Sequence, residues 1–231
     1  MFDYQGYGWV FFDGLQITLA VGLASLPVAL VLGLVGAWGK LSKNVVLRNL
    51  AGAYTTVVRG VPELVLITLV YYGFTIILQD LASSITGERE QIDLNPFVTG
   101  TIALGSIYGA FATEVFRGAF LAVDRGQIEA ARAYGMGSVL AFRRVILPQM
   151  WRFALPGLGN LWLVLLKATA LVSVIQLPEL MRMTSIGVGA TREPFTFYFT
   201  ASLIYLGITA ASLLVIRSAE KQASRGVARR L

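Results

Sequence analysis

Five long stretches nearly free of charge, separated by loops whose charge changes sign, dictate most of what this chain can become. Residues 14–39, 94–113 and 194–216 contain no Asp, Glu, Lys or Arg. Residues 50–79 contain only Arg59 and Glu63, and residues 153–178 only Lys167. About 20 mostly apolar residues cross the hydrocarbon core of a bilayer as a helix. In lipid, a lone segment must satisfy its backbone hydrogen bonds internally, which a helix does and an isolated strand does not. Charged residues make up 14% of the chain, against about 25% in soluble domains. The expectation is an all-α integral membrane protein, one domain over 1–231, with five transmembrane helices and a membrane core over about 13–217.

The loops orient these spans. The N-terminal segment is acidic, with Asp3 and Asp13. Lys40, Lys43 and Arg48 make the first loop positive, and four acids against Arg89 make the second negative. The third, over about 117–152, holds six arginines against Asp124 and Glu129. The fourth is neutral, and the tail after residue 216 is basic. Positive loops stay cytoplasmic. The N-terminus is therefore expected outside and the C-terminus inside. No Lys or Arg precedes Lys40, so a cleavable signal is not expected and the first stretch should stay as a span.

The residue inventory narrows the chemistry. There is no Cys and no His, which removes disulfides, thiolate nucleophiles and the usual zinc ligands. No catalytic residues, metal site or cofactor are expected. Gly39-Lys40 comes nearest to a phosphate-binding loop but fails the pattern on both sides, so nucleotide hydrolysis would belong to another polypeptide. The net charge of +6 follows from the cytoplasmic loops and does not call for nucleic acid.

The third loop is patterned. Gly126-Gln127-Ile128-Glu129-Ala130-Ala131-Arg132-Ala133-Tyr134-Gly135 places strong helix formers before a glycine suited to a left-handed cap. A second amphipathic piece leads to Leu147-Pro148, where proline restricts the residue before it and sets up the next helix.

Glu129-Ala130-Ala131, Gly135 after three residues, then Val145 and Leu147-Pro148 resemble the signature loop of bacterial ATP-binding-cassette importer permeases. Val145 stands where Ile is usual. Arg59-Gly60-Val61-Pro62-Glu63-Leu64, Phe116-Arg117-Gly118, Leu155-Pro156 with Asn160, Lys167 to Ser173, Gln91-Ile92-Asp93 and Arg192-Glu193-Pro194-Phe195 resemble the polar amino acid branch, nearest to histidine/lysine/arginine/ornithine permeases. Ala170 replaces a Ser common in that branch. The resemblance implies a bacterial inner-membrane permease paired with a second, similar subunit, as homodimer or heterodimer. An ATPase pair and an external substrate-binding protein complete the importer. It implies that the loop helix, through Glu129, Ala130, Ala131, Gly135, Leu147 and Pro148, couples to the ATPase. Basic amino acids are the expected substrates, with other polar amino acids or opines as the alternative.

Charges inside spans are costly, about 2.5–3.5 kcal/mol at mid-helix, so each points to function or pairing. Arg59 and Glu63, four apart with Pro62 between, either pair along a kinked helix or present Glu63 to a cationic substrate. Lys167 either attracts a substrate carboxylate or neutralises a carboxylate of a neighbouring helix. Thr169 and Ser173, four apart, are candidate substrate hydrogen-bond partners on one face, with helix packing the alternative. Glu114 and Arg117 fit a structural role at a span end, and Gly105 and Gly109 fit close packing. A secondary transporter would need inverted repeats or a proton relay. A membrane enzyme would need a carboxylate pair within the spans, and neither pattern occurs.

Overall fold

The structure, a computed structural model, describes residues 4–86 and 92–224. Every regular element among those residues is helical, with no strand. Arg89, Gln91, Arg225, Arg229 and Arg230, used above for loop charge or motif, lie outside the described residues, as does Asp3.

Helix α1 (Trp9–Leu41) is followed by α2 (Val45–Gly60), where the Asn44 side chain accepts from the Val46 and Leu47 amides. Next come α3 (Glu63–Thr68), a π turn (Leu69–Gly73) and α4 (Phe74–Thr86). Asn95 caps α5 (Pro96–Leu121) in the same way, with Pro96 in its first turn, where no amide is needed. Two short helices, α6 (Arg125–Ala133) and α7 (Ser138–Ala141), lead through a π turn (Phe142–Ile146) into α8 (Leu147–Ala168). A 3₁₀ helix (Thr169–Ile175), α9 (Leu180–Thr191) and α10 (Pro194–Ala223) complete the chain.

Four stretches are long and apolar enough to cross a membrane: Trp9–Leu41, Glu63–Ile85, Ser138–Ile175 and Pro194–Ala223. The expected third span, residues 94–113, falls in α5 and is not among them. Glycine, Ser, Thr and Tyr dilute its apolar character, and its position explains why that is tolerated. Helix α5 is the hub of the bundle, packed by α1, α2, α3 and α8. A helix shielded by protein has little need of a lipid-facing surface.

The α1–α5 contact rests on small residues at the points of closest approach. A Cβ added at Gly36 would sit 2.2 Å from Thr113 Oγ1, and one at Gly33 would sit 2.5 Å from the Ala112 Cβ. From the other side, Gly105 meets Val28 and Gly109 meets Leu32 and Tyr54. The packing role expected for Gly105 and Gly109 is thus what the structure places there. Leu104, Tyr108 and Phe116 of α5 are fully buried in the core built around this contact.

The expected second span, 50–79, is two helices rather than one kinked helix. Val61 (ψ 139°) and Pro62 (ψ 134°) are both extended. Proline lacks an amide donor and forces the residue before it out of the helical region, so α2 stops and α3 restarts at Glu63. Around Pro148 the opposite holds. Leu147 stays helical, and the preceding turn widens to π instead of breaking.

Candidate functional site

The break at Val61-Pro62 creates the site. It makes Glu63 the first residue of α3, where the positive end of the helix dipole favours a carboxylate. Tyr108 Oη donates to Glu63, lying 3.2 Å from both carboxylate oxygens. Tyr108 is the midpoint of α5, about 20 Å from either end at 1.5 Å per residue, so the half-buried Glu63 sits beside the middle of that helix. One turn along α5, the exposed Arg59 guanidinium stacks over Phe111, 5.2 Å from the ring centre. Arg59 and Glu63 therefore do not pair with each other. The helix break separates them, and α5 gives each its own aromatic partner.

Helix α3 also packs against the 3₁₀ segment after α8, which brings Glu63 and the 169–175 region to one side of the bundle. There the expectation for Thr169 and Ser173 needs correcting. A 3₁₀ helix turns every three residues, so positions four apart do not share a face. Thr169 is fully buried and donates to the Leu166 carbonyl at 2.7 Å, while Ser173 is half-buried.

Lys167 is exposed on α8, and the ion pairs found among the described residues do not include it. Neutralisation by a carboxylate of this chain is not observed there. Phe153, Pro156, Asn160, Val164 and Lys167 are all exposed and follow helical spacing. This stripe places an amide and an ammonium on an open face of a membrane-length segment.

Below this level the chain is tied together electrostatically. Glu114 accepts from the Lys40 ammonium of α1 and from Arg117 Nε, the latter at 2.9 Å. This agrees with the structural role expected for Glu114 and Arg117, and Lys40 is a partner that spacing could not reveal.

Helix α6 has both of its ends fixed. The Asp124 carboxylate accepts from the Gly126 amide at 2.6 Å. At the other end Gly135 adopts φ +77°, its amide donating to Arg132 O and the Met136 amide to Ala131 O. These two bonds are a Schellman cap, the left-handed stop expected from Gly135. Ala131 is buried and Ile128 half-buried against the loop, whereas Glu129, Ala130 and Tyr134 face outward. Beside them Val139 is 82% exposed, an apolar side chain at the very start of the Ser138–Ile175 stretch. Pro148 and Leu147 are exposed at the start of α8.

Glu179 is the residue the sequence conceals. It stands in what looks like an ordinary outer loop, yet it is fully buried. Its carboxylate caps α9, accepting from the Met181 and Arg182 amides at 2.9 and 2.7 Å, with Tyr205 Oη of α10 at 3.4 Å. Thr18 of α1 accepts from the neighbouring Leu180 amide. An acid directly before an apolar run is a helix-start signal, and that signal could have exposed it.

Membrane-length helices packed around a shielded hub, with polar side chains on an open face, define an integral membrane helical bundle. The chain belongs to the family of binding-protein-dependent transport system inner membrane components, whose pattern matches residues 26–224. It is 44% identical to the octopine transport system permease protein OccQ of Rhizobium radiobacter, over 99% of this chain and 96% of that protein. It is 46% identical to the histidine/lysine/arginine/ornithine transport system permease protein HisQ of Salmonella typhimurium, over 97% of each. A chain of a solved amino acid ABC transporter with histidines superposes with a TM-score of 0.81 at 32% identity, covering 96% of this chain and 99% of that one. The protein is an amino acid ABC transporter permease, and its relatives are membrane subunits rather than enzymes.

Proposed function

We propose that this chain forms half of the translocation pathway of an importer for basic amino acids, histidine, lysine, arginine and ornithine, in a bacterial inner membrane. Its N-terminus lies outside and its C-terminus in the cytoplasm. It makes five crossings, α5 being the third and residues 45–86 the second. The observation that carries the substrate reading is Glu63, a half-buried carboxylate held by Tyr108 at mid-depth. A cationic side chain passing that level meets an opposite charge whose geometry is already set.

The open stripe through Asn160 and Lys167 supports a second, similar permease subunit as the other wall. A lysine facing lipid at depth costs about 2.5–3.5 kcal/mol, and a partner or an aqueous path removes that cost. In the pathway, Lys167 attracts the substrate carboxylate. Thr169 is a packing residue on this reading, and Ser173 remains a candidate contact. Helix α6 is the coupling helix. Its outward face, Glu129, Ala130 and Tyr134, docks on an ATPase subunit that supplies the nucleotide chemistry, with Gly135, Leu147 and Pro148 fixing the helix relative to α8. An external binding protein delivers substrate from the other side.

A second reading, import of opines, is favoured by the similarity to an octopine permease. The test is ATPase stimulation of the reconstituted complex, screened across amino acids and opines with the cognate binding protein. Stimulation by lysine, arginine, histidine or ornithine is expected. Stimulation by octopine alone, or by neutral amino acids alone, would overturn the proposed substrate class.

A further inference from the structure

A fully buried carboxylate outside the proposed pathway stands where four elements meet. Glu179 lies between the membrane-length stretches Ser138–Ile175 and Pro194–Ala223. Its oxygens accept from the Met181 and Arg182 amides of α9 and from Tyr205 Oη of α10, the last at 3.4 Å. The Tyr205 hydroxyl also stands within hydrogen-bond reach of Thr18 on α1 and of Thr169 at the start of the 3₁₀ helix. Both threonines are fully buried. Close backbone approach seals the cluster, since a Cβ added at Gly14 of α1 would sit 2.7 Å from the Leu180 Cα.

No cation balances this charge. The ion pairs among the described residues, Lys40–Glu114 and Arg117–Glu114, do not include Glu179. The charged side chains on neighbouring turns, Asp13 of α1, Lys167 of α8 and Arg182 of α9, are all exposed. Helix α10 carries none before Arg217, and Tyr205 is the titratable group in contact with the carboxylate. A carboxylate buried in this way keeps its proton to higher pH than one in water. Burial pushes Glu179 up to about 7, against the lowering effect of the two amides and the Tyr205 hydroxyl. A rearrangement that lets water reach it returns it towards its ordinary 4.5. The bound proton therefore favours the shut arrangement, and its loss favours opening. The 3₁₀ helix that begins at Thr169 packs against α3, whose first residue is Glu63. A shift of the cluster thus reaches the helix that presents Glu63.

We propose that Glu179 is a proton-binding latch for the outer half of the bundle. Protonated, it keeps α1, α9, α10 and the 3₁₀ helix closed around it. Ionised, it favours their separation and admits water beside α3. That this half is the outer one rests on the orientation proposed above.

The chain has no Cys, so Thr184→Cys, at a fully buried position of α9, gives this subunit a single thiol whose labelling reports opening. Spheroplasts carrying the whole importer are treated between pH 5.5 and 7.5 with a membrane-impermeant thiosulfonate and, separately, with a permeant one. Adducts on this subunit are counted by mass spectrometry. Dividing each rate by that in a Glu179→Gln background removes the pH dependence of the thiol itself. The ratio should rise about 20-fold across this range, from one group moving between about 7 shut and 4.5 open. Tyr205→Phe removes a donor to the carboxylate and should move the midpoint of the rise to higher pH, which loss of packing alone would not do. Co-purification of the ATPase subunit reports assembly. If the Gln variant does not assemble, the midpoint difference between Tyr205→Phe and the unaltered residue decides. A ratio that is flat or falls as pH rises would overturn the proposal, as would a midpoint unmoved by Tyr205→Phe. A rise seen only with the permeant reagent would support the latch and refute the orientation instead.

Discussion

Replacing Glu63 by Gln removes one negative charge from the middle of the bundle while preserving the shape of the side chain. The amide oxygen can still accept from Tyr108, whose hydroxyl lies 3.2 Å from both carboxylate oxygens, so α3 should keep its place on α5. What is lost is charge assistance. A hydrogen bond to a charged group contributes about 1.5–3 kcal/mol and a neutral one about 0.5–1.5. The difference, about 1–2 kcal/mol, corresponds to roughly a 5- to 30-fold loss of apparent affinity for a cationic substrate.

The assay is uptake of labelled arginine or lysine into proteoliposomes containing the full complex and its binding protein. Retention of the ATPase subunit on the purified complex reports that the variant is assembled. Tyr108→Phe provides the second arm, because it keeps the ring but frees the carboxylate from its orienting donor. It should cost less than Glu63→Gln, because the carboxylate and its charge stay in place for the substrate. Unchanged concentration dependence of arginine uptake in Glu63→Gln would refute the assignment of this carboxylate to the pathway. A loss in Tyr108→Phe larger than in Glu63→Gln would show that packing, not charge, is what matters there.

Lys167→Met should lower uptake of every amino acid the importer accepts, since all share an α-carboxylate, whereas Glu63→Gln should discriminate by side-chain charge. Competition uptake with a set of amino acids separates the two patterns. Ala130→Arg places bulk on the outward face of α6 without touching the capped ends; it should reduce ATPase co-purification at least tenfold, read by quantitative immunoblot. Gly36→Ala drives a methyl group to 2.2 Å from Thr113 Oγ1 and should destabilise the detergent-solubilised protein by about 1–3 kcal/mol. Gly52→Ala, with open space around the added carbon, should be neutral or stabilising by about 0.5–1 kcal/mol; thermal unfolding by intrinsic fluorescence compares the two.

Local rules made some of this architecture legible and hid the rest. The left-handed stop at Gly135 could be foreseen because a glycine after helix formers has one dominant use, and the Gly105–Gly109 contact because small residues one turn apart let backbones meet. The second span was misread because hydropathy does not register a missing amide. Proline at 62 breaks the helix there, yet proline at 148 is absorbed by a π turn. Thr169 and Ser173 were paired by assuming 3.6 residues per turn where the chain tightens to three. The partners of Arg59 and Glu63, and the Lys40 partner of Glu114, are on other helices, and no spacing along the chain predicts them. Glu179 was hidden for the same reason. Its burial comes from α1 and α10 closing over a turn that looks solvated in isolation.

These tertiary contacts converge on α5. Tyr108 holds Glu63, Phe111 carries Arg59, and Glu114 pairs with both Arg117 and Lys40 of α1. Three residues past the C-terminus of α5, Asp124 caps α6. One continuous helix therefore touches the Glu63 carboxylate, the break between α2 and α3, and the loop that carries the outward-facing Ala130. From Tyr108 to the end of α5 at Leu121 is about 20 Å at 1.5 Å per residue, the reach needed to link the middle of a bilayer to its surface. A hydrogen-bonded helix resists bending, whereas at Val61-Pro62 the backbone is extended, the Val61 amide closing α2 on the Val57 carbonyl and the Pro62 carbonyl opening α3 to the Val65 and Leu66 amides. Force applied at α6 should then move α5 as a shaft and be released at that break, changing the angle of α3 and the presentation of Glu63. Pro62→Ala tests this directly. By letting α2 and α3 fuse, it should leave the ATPase bound yet reduce uptake per ATP hydrolysed, and unaltered coupling would place the moving joint elsewhere.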